Sequence, residues 1–262
     1  MGFLAALLLT FVADENSARD EAIAAIRIAQ TRGLKIYGET CPQYLLLTAK
    51  DLDRPNMDGA MFCCSPPPRD EASQEVVWQG LRNGTFQVFS SDHAPYRFDE
   101  TGKLAHGPEA AFKDIANGLP GLELRLPILF SEGVRKGRLD VHQFVALTAT
   151  NVAKLYGLYP RKGTIAIGAD ADLAVWDPNK QVTINSDKLH DNVGYTPYAG
   201  RTLTGWPETV LSRGRVVVEQ GALQVERGSG VFLPCATSEA AKPLGRRVAE
   251  LDPERNFGAQ LL

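Results

Sequence analysis

The chain has 262 residues and a formal net charge of −3, and 44% of its residues are hydrophobic and 23% charged. This composition is typical of an ordinary globular protein with one large domain or two modest ones. No basic cluster alternates with aromatic residues, which argues against nucleic acid or an anionic membrane surface as a partner. The four cysteines show no CxxC spacing, which favours buried thiols in a reducing compartment over a zinc ribbon.

Residues 1–16 form an atypical N-terminus. The apolar run Phe3–Val12 is similar to the core of a signal peptide, but it lacks a basic n-region and is too short to span a bilayer. A secretion signal and a strand or improvised N-terminus both remain open for this run. We expect the second, and therefore a cytoplasmic protein.

The segment 17–158 alternates helices with short strands. Ser17 is a candidate helix cap, and apolar residues then recur at helical spacing until Gly33. The later patterns predict a strand at Leu34–Tyr37, a helix at Glu71–Arg82, a strand at Phe86–Phe89, a helix at about Leu122–Lys136 and a helix at Val141–Lys154 with a kink or break near Thr150–Asn151. Helix, strand and long loop in repetition indicate an α/β fold with its functional loops after the strands.

The segment 159–227 has a different pattern. Lys162–Pro178 predicts a turn, a short strand, another turn and a longer strand. Further short strands are expected at Val182–Ile184, Thr209–Ser212 and Val216–Glu219, with a tight turn at Arg213–Gly214. Together they predict a small antiparallel β module. The remaining segment, 228–262, has little periodicity and is expected to be an arm or partly disordered.

The stretch Phe86–Tyr96 is the strongest candidate for chemistry. Its apolar run stops at two serines, and Asp92 and His93 follow directly. Polar, ionisable residues at the end of a buried strand lie where α/β barrels and open α/β sheets place their active sites. The alternative from this stretch alone is that Asp92 caps or braces its loop.

Four segments together resemble one family, the cyclic amidohydrolases of the hydantoinase and dihydropyrimidinase type. They are Tyr37–Leu45, Cys64–Arg69, Ser90–Tyr96 and Lys162–Asp177, the last with a Gly-Ala-Asp-Ala-Asp-Leu core. The resemblance covers roughly residues 17–221. It implies the C-terminal part of a TIM-like (β/α)8 metal-dependent hydrolase barrel and a partial small β-sandwich module.

The resemblance also implies a reaction. Such enzymes hold two divalent metals, usually zinc, bridged by a carbamylated lysine and a hydroxide, and they open a cyclic amide to an N-carbamoyl amino acid. Asp92 would ligate one metal and move a proton from the attacking hydroxide to the leaving nitrogen, both of which suit a carboxylate. Ser65 and Asn117 would hold the imide edge of the ring, and the glycines after Asn117 would let backbone groups approach it.

The departures from the family concern the metal site. The family's His-x-His pair, bridging lysine, next metal histidine and oxyanion tyrosine come from the first half of its barrel, and no His-x-His occurs in this chain. Counting back from the Gly38–Cys41 motif puts Asn16 where the last metal histidine should lie, and an amide oxygen is a weaker zinc ligand than imidazole.

Two functional hypotheses follow from these departures. About three of eight βα units cannot close a barrel, so their strand edges need another chain or a symmetry mate. We therefore expect a truncated hydrolase that is inactive alone and forms a homo-oligomer or binds a partner supplying the missing half. The alternative is a non-catalytic remnant acting as an oligomerisation or interaction protein, with contacts from 122–136, 140–156 and the C-terminal arm.

The remaining histidines give weaker signals. His93 could ligate a metal, but neighbouring residues of an extended segment point in opposite directions, which favours a loop or packing role. His106 and His142 have no partner at ligand spacing and are expected to be solvated or capping residues.

Two further pairs have competing interpretations. Cys41 and Cys64 could form a thiol site, yet no activating base lies at a recognisable spacing, so we expect burial. Asp170 and Asp172 could suggest calcium, but no oxygen-rich ligand loop follows, which favours turn hydrogen bonding.

Overall fold

The structure is a computed structural model that describes residues 6–7 and 18–242, with side chains from residue 22 onward. Its strands are β1 (Ala6–Leu7), β2 (Tyr37–Thr40), β3 (Phe86–Phe89), β4 (Leu173–Thr183), β5 (Thr202–Ser212), β6 (Arg215–Glu219) and β7 (Ala222–Leu223). Its α-helices are α1 (Ala18–Thr31), α2 (Gln43–Leu46), α3 (Ala49–Leu52), α4 (Glu71–Arg82), α5 (Arg125–Leu129), α6 (Val141–Val145) and α7 (Asn151–Leu155). Among the described residues, no helix is both long and apolar enough to cross a bilayer.

Strands β1, β2 and β3 form a parallel sheet in that order. Gly38 of β2 lies opposite Phe86 of β3, and a one-residue irregularity follows before Glu39 pairs with Val88. Parallel neighbours need a crossover, which α4 provides between β2 and β3. The mixed α/β class predicted from the alternating pattern is therefore confirmed.

Helix α4 has the predicted limits, and its sequence explains where it begins. Asp70 accepts a hydrogen bond from the backbone N–H of Ser73 at 2.8 Å, which satisfies an amide that the helix itself leaves unpaired. Trp78 and Leu81 lie three residues apart on its inner face and are 3% and 2% exposed. The apolar stripe thus attaches the helix to the sheet, and β3 follows over its predicted range.

The first predicted strand, Leu34–Tyr37, is wrong in its limits. The N–H of Leu34 bonds back to the carbonyl of Ala29 at 3.0 Å, and the N–H of Ile36 bonds to the carbonyl of Leu34 at 2.9 Å. These residues therefore finish the end of α1 instead of joining a ladder. Strand β2 begins only at Tyr37, and the motif that follows it lies within and directly after the strand.

The two later helices are present but contain π-helical turns. The segment predicted at 122–136 consists of α5 followed by a π-helix at Phe130–Arg135. Between α6 and α7 lies a second π-helix, Ala146–Thr150. The hydroxyl of Thr148 donates to the carbonyl of Phe144 at 2.7 Å, a contact that bends helices. The chain is not broken near residue 150, where the π-helix gives way to α7.

Strands β4 to β7 form an antiparallel sheet in chain order, and Arg213–Gly214 connects β5 to β6, as predicted. The predicted longer strand and the one at Val182–Ile184 are a single strand, β4. The short strand expected early in Lys162–Pro178 is wrong. There the N–H of Ala169 bonds to the carbonyl of Ala166 at 3.1 Å, so a turn replaces it.

Two cores hold these parts together. The first joins α1, α4, β3 and the helices after it, and contains Ile26, Leu45, Trp78, Leu81, Phe86, Phe89, Leu129, Leu139, Phe144 and Leu147. The second joins α5 to the antiparallel sheet, and contains Leu47, Phe62, Cys64, Leu119, Leu124, Ile128, Ile184, Tyr198 and Leu203. Phe130 stacks on Trp176 of β4 with ring centroids 4.9 Å apart, so the aromatic contact adds to this attachment.

The chain after β7 folds back onto the α/β part. The Lys35 ammonium donates to the carbonyls of Glu239 and Lys242 at 2.5 and 2.7 Å. The N–H of Ala236 donates to the carbonyl of Gly157 at 2.9 Å. The expectations for Asn16, for Phe3–Val12 apart from Ala6–Leu7, and for 243–262 lie outside the described residues.

Candidate active site

Asp92 lies three residues beyond the end of β3. The strand's ladder ends with the N–H of Ser90 donating to the carbonyl of Thr40 at 3.0 Å. Asp92 then adopts a φ of 47°, in the left-handed region that aspartate tolerates better than most residues. This turn leaves its side chain exposed at the carboxyl end of the sheet, where the sequence predicted it.

Gln43 is a hydrogen-bond partner of Asp92. Its side chain is 1% exposed, and its Nε2 donates to Oδ2 of Asp92 at 3.3 Å. Partial desolvation of the carboxyl by surrounding protein raises the pKa of Asp92 above its ordinary value. The carboxyl is therefore positioned by a buried amide and is more readily protonated than a fully solvated aspartate.

Ser65 lies on a neighbouring loop and is exposed. The carbonyl of the next residue, Pro66, accepts a hydrogen bond from the hydroxyl of Tyr44 at 3.2 Å and from the thiol of Cys64 at 3.4 Å. Tyr44 belongs to α2, which directly follows the Gly38–Cys41 motif. The Ser65 loop is thus attached to α2, the helix that also carries Gln43.

Asn117 is also exposed, on a third segment. Its Oδ1 accepts a hydrogen bond from the Cys63 thiol at 3.5 Å. The N–H of Gly118 donates to the carbonyl of Cys63 at 3.0 Å. Gly118 has a φ of 144°, and a Cβ there would lie 2.4 Å from the Cβ of Ala94, so only glycine fits between the two loops.

His93 braces these loops. Its Nδ1 accepts hydrogen bonds from the N–H groups of Gly121 and Leu122 at 3.1 and 3.3 Å. Next to it, the N–H of Ala94 donates to the carbonyl of Leu119 at 3.1 Å. This nitrogen is occupied as an acceptor, which agrees with the loop role predicted for His93. The structure therefore brings together the three segments that carry Ser65, Asp92 and Asn117.

The exposed edge of β3 is covered by side chains. Among the described residues β3 is an outer strand of its sheet, and its carbonyls at Gln87 and Phe89 point away from β2. Asn151 Nδ2 donates to the carbonyl of Gln87 at 3.0 Å, and Arg125 Nη1 donates to that of Phe89 at 2.6 Å. Burial lowers the pKa of Arg125. These two side chains take the place of a neighbouring strand.

The cysteines form no thiol site. Cys41 and Cys64 are buried, and desolvation raises the pKa of each thiol to about 12. Cys41 Sγ lies 3.1 Å from the hydroxyl of Ser90, which in turn donates to the carboxylate of Glu39. These thiols remain protonated at neutral pH and act as packing groups, as the sequence predicted.

The other predicted side chains stand apart from this site. His106 and His142 are exposed. Asp170 pairs with Lys162 at 3.0 Å, and Asp172 accepts the N–H of Arg213 at 2.8 Å, so both acids serve the turns that enter β4 and β6.

The part of the chain that the structure describes does not fit a binuclear metal site. Across residues 22–242, no group of three or more histidine, cysteine, aspartate or glutamate side chains is placed to hold an ion. Asp92 has an amide, Gln43, as its polar neighbour. One carboxylate is far short of the ligand set that a catalytic zinc needs.

Sequence reasoning missed the burial of two polar residues that contact the segments of the site, Gln43 and Lys103. Gln43 lies in the recognised Tyr37–Leu45 motif, so its position next to a strand end was a usable signal. Lys103 lies in a loop without periodicity, 1% exposed, and donates to the carbonyls of Cys63 and Ala116 at 2.9 and 2.8 Å. Nothing in its local sequence indicates burial.

Comparison with known proteins identifies the family of this chain. A model of the amidohydrolase family matches residues 14–217. The chain therefore belongs to the amidohydrolase family.

Similar proteins within the family include two D-hydantoinases and a dihydropyrimidinase. The chain is 44% identical to a D-hydantoinase of Geobacillus stearothermophilus over 213 residues, which cover 81% of this chain and 45% of the relative. It is 41% identical to a D-hydantoinase of Ralstonia pickettii over 214 residues, covering 82% of this chain and 46% of that one. The crystal structure of a dihydropyrimidinase from Brevibacillus agri NCHU1002 matches with a TM-score of 0.80 and 43% identity, covering 85% and 47% of the two chains. The chain thus spans less than half the length of these relatives.

Proposed function

We propose that this chain supplies part of a hydantoinase or dihydropyrimidinase-type hydrolase, which opens a cyclic amide to an N-carbamoyl amino acid. The observation that carries the proposal is the fold match to the Brevibacillus agri dihydropyrimidinase at 43% identity over 85% of this chain. It is supported by the position of Asp92 at the end of β3, beside the segments that carry Ser65 and Asn117.

Each of these three residues has a role in the proposal. Asp92, exposed and with a raised pKa, is the group that accepts and returns a proton. Ser65 and Asn117 hold the polar edge of the ring, because both are exposed and lie on loops joined through Cys63. The fold in this proposal is the C-terminal part of a (β/α)8 barrel with part of a β-sandwich.

The metal sets a condition on this function. The family resemblance implies two divalent ions, with zinc the expected metal, and the described residues cannot hold them. The missing ligands would have to come from residues outside this described part, such as a partner that supplies the other half of the barrel, because a second copy of this chain would also lack a His-x-His pair. By itself, the chain should show little or no ring opening.

Activity with and without a complement tests the proposal. The purified chain is assayed with zinc on hydantoin and dihydrouracil, alone and co-expressed with the part of the Geobacillus stearothermophilus D-hydantoinase that it does not match. We expect turnover and bound zinc only with the complement. In the complex, Asp92→Asn should lower kcat by about 100-fold or more, whereas Asp114→Asn, at an exposed aspartate that ends a short 3-10 helix, should not.

A second candidate function is a non-catalytic oligomerisation or interaction protein. It is favoured by the same observation, that residues 22–242 hold no cluster of metal-ligating side chains. Robust turnover by the chain alone would overturn the proposed inactivity. Complexes that form and bind zinc but never hydrolyse either ring would favour the non-catalytic candidate.

A further inference from the structure

Lys103 is the most deeply buried lysine or arginine among residues 22–242, and the proposed chemistry does not use it. Lysine is almost never fully buried unless it is paired, yet its side chain is 1% exposed. Its ammonium donates to the carbonyl of Cys63 at 2.9 Å and to that of Ala116 at 2.8 Å. Both acceptors are main-chain atoms, so the bonds fix backbone positions directly.

The two carbonyls lie next to the residues proposed to hold the ring. Cys63 is two residues before Ser65, and Ala116 directly precedes Asn117. The carbonyl of Cys63 also accepts the N–H of Gly118 at 3.0 Å. The Cys63 carbonyl oxygen therefore accepts both the Lys103 ammonium and the Gly118 amide. The residues on either side of Asn117 are thus both linked to the Ser65 segment, Ala116 through Lys103 and Gly118 directly.

We propose that Lys103 is a positioning residue that fixes the Ser65 segment against the Asn117 segment and so sets the width of the site for the polar edge of a cyclic amide. This inference rests on the proposed function for its ligand, but its structural part stands on the contacts alone. Burial lowers the pKa of Lys103 to about 8, which shows that the position is unfavourable for the charge. An apolar side chain of similar length would avoid that cost but could not join two carbonyls.

Amide hydrogen exchange tests the tether in the chain as it exists. Lys103→Met removes the donors and the charge, Lys103→Gln keeps N–H donors without the charge, and Lys113→Met is the control at an exposed lysine. In Lys103→Met the Gly118 amide should exchange at least about tenfold faster, while amides of α4 keep their rates. Lys103→Gln should fall between it and the native chain, and Lys113→Met should match the native chain.

Two exchange results would overturn the inference. One is Gly118 exchange that equals the native rate in folded Lys103→Met. The other is exchange that rises only in step with the amides of α4, because Lys103 would then support the fold as a whole. If Lys103→Met does not fold, Lys103→Gln decides in the same way, since its shorter side chain cannot reach both carbonyls as the ammonium does.

Kinetics of the zinc-loaded complex described above tests the effect on the ring. Lys103→Gln should raise KM for hydantoin about tenfold with a smaller change in kcat, whereas loss of folded enzyme would lower kcat at constant KM. An unchanged KM would refute the effect on the ring. If the native complex has no activity, the proposed function fails, and hydrogen exchange still decides whether Lys103 is the tether.

Discussion

Because Lys103 is buried, the free energy of unfolding should depend on pH in the alkaline range. Lys103→Met should remove this dependence. Its pKa is about 8 in the folded chain and 10.5 for the free side chain, so between these values the unfolded state binds more protons. Above pH 10.5 the amine is neutral in both states, and burying it does not destabilise the fold. As pH falls through about 8 the folded state also takes up the proton, and the stability present above pH 10.5 is lost because a charge is then buried. The native chain should gain stability from Lys103 as pH rises.

The size of the effect follows from the same two values. A difference of one in pKa corresponds to about 1.4 kcal/mol, and between pH 7 and pH 10 most of the titration takes place. The free energy of unfolding of the native chain should rise by about 2–3 kcal/mol relative to Lys103→Met over this range. The buried thiols of Cys41 and Cys64, with pKa values raised to about 12, act in the opposite direction. They are common to both chains and cancel in the difference, except that Lys103 lowers the pKa of Cys64 and of the neighbouring Cys63 in the native chain only.

Urea unfolding, with reductant and followed by tryptophan fluorescence, measures this difference at several pH values from 7 to 10. Trp78 is 3% exposed in the first core and reports the transition. Lys113→Met, at an exposed lysine, should parallel the native chain throughout. A difference between the native chain and Lys103→Met that stays flat, or that falls with pH, would refute the buried ammonium.

Three substitutions test other parts of the structure by the same unfolding assay. Ile128→Ala removes a side chain that is 0% exposed in the second core and should cost about 2–5 kcal/mol; a cost below about 1 kcal/mol would contradict its placement. Asp70→Ala removes the acceptor of the Ser73 N–H at 2.8 Å and should cost about 1 kcal/mol, whereas Asp70→Asn should retain most of the cap. Gly205→Ala should cost about 1–3 kcal/mol, because its Cβ would lie 2.2 Å from the ring of Phe130 and its φ is 99°; unchanged stability would show that this contact is wrong.

Elements with strong local signals could be predicted with correct limits. Helix α4 has Asp70 at its start and an apolar stripe that includes Trp78, and β3 has an apolar run after a turn, so local sequence and tertiary packing agree. The limits of β2 depend on where the strand first meets its neighbour, which no local pattern gives. The π-helix at Ala146–Thr150 likewise depends on packing in the completed fold.

The candidate site was predictable where it followed a strand and unpredictable where it depended on loops. The position of Asp92 could be predicted because it lies three residues beyond the end of β3. The contact of Gln43 with Asp92 and the burial of Lys103 arise from segments that meet only in the folded chain. Both are polar residues, for which composition predicts exposure, and only tertiary contacts reverse that expectation.

The covering of the β3 edge has a consequence for how the chain is made. The side chains that occupy the carbonyls of Gln87 and Phe89 come from Asn151 and Arg125, which are 64 and 36 positions later in the sequence. During synthesis β3 emerges well before either of them, and an unpaired strand edge is a template for addition of another strand. The nascent chain therefore passes through an interval in which β3 is open to aggregation, and that interval closes only when α7 has been made and has docked.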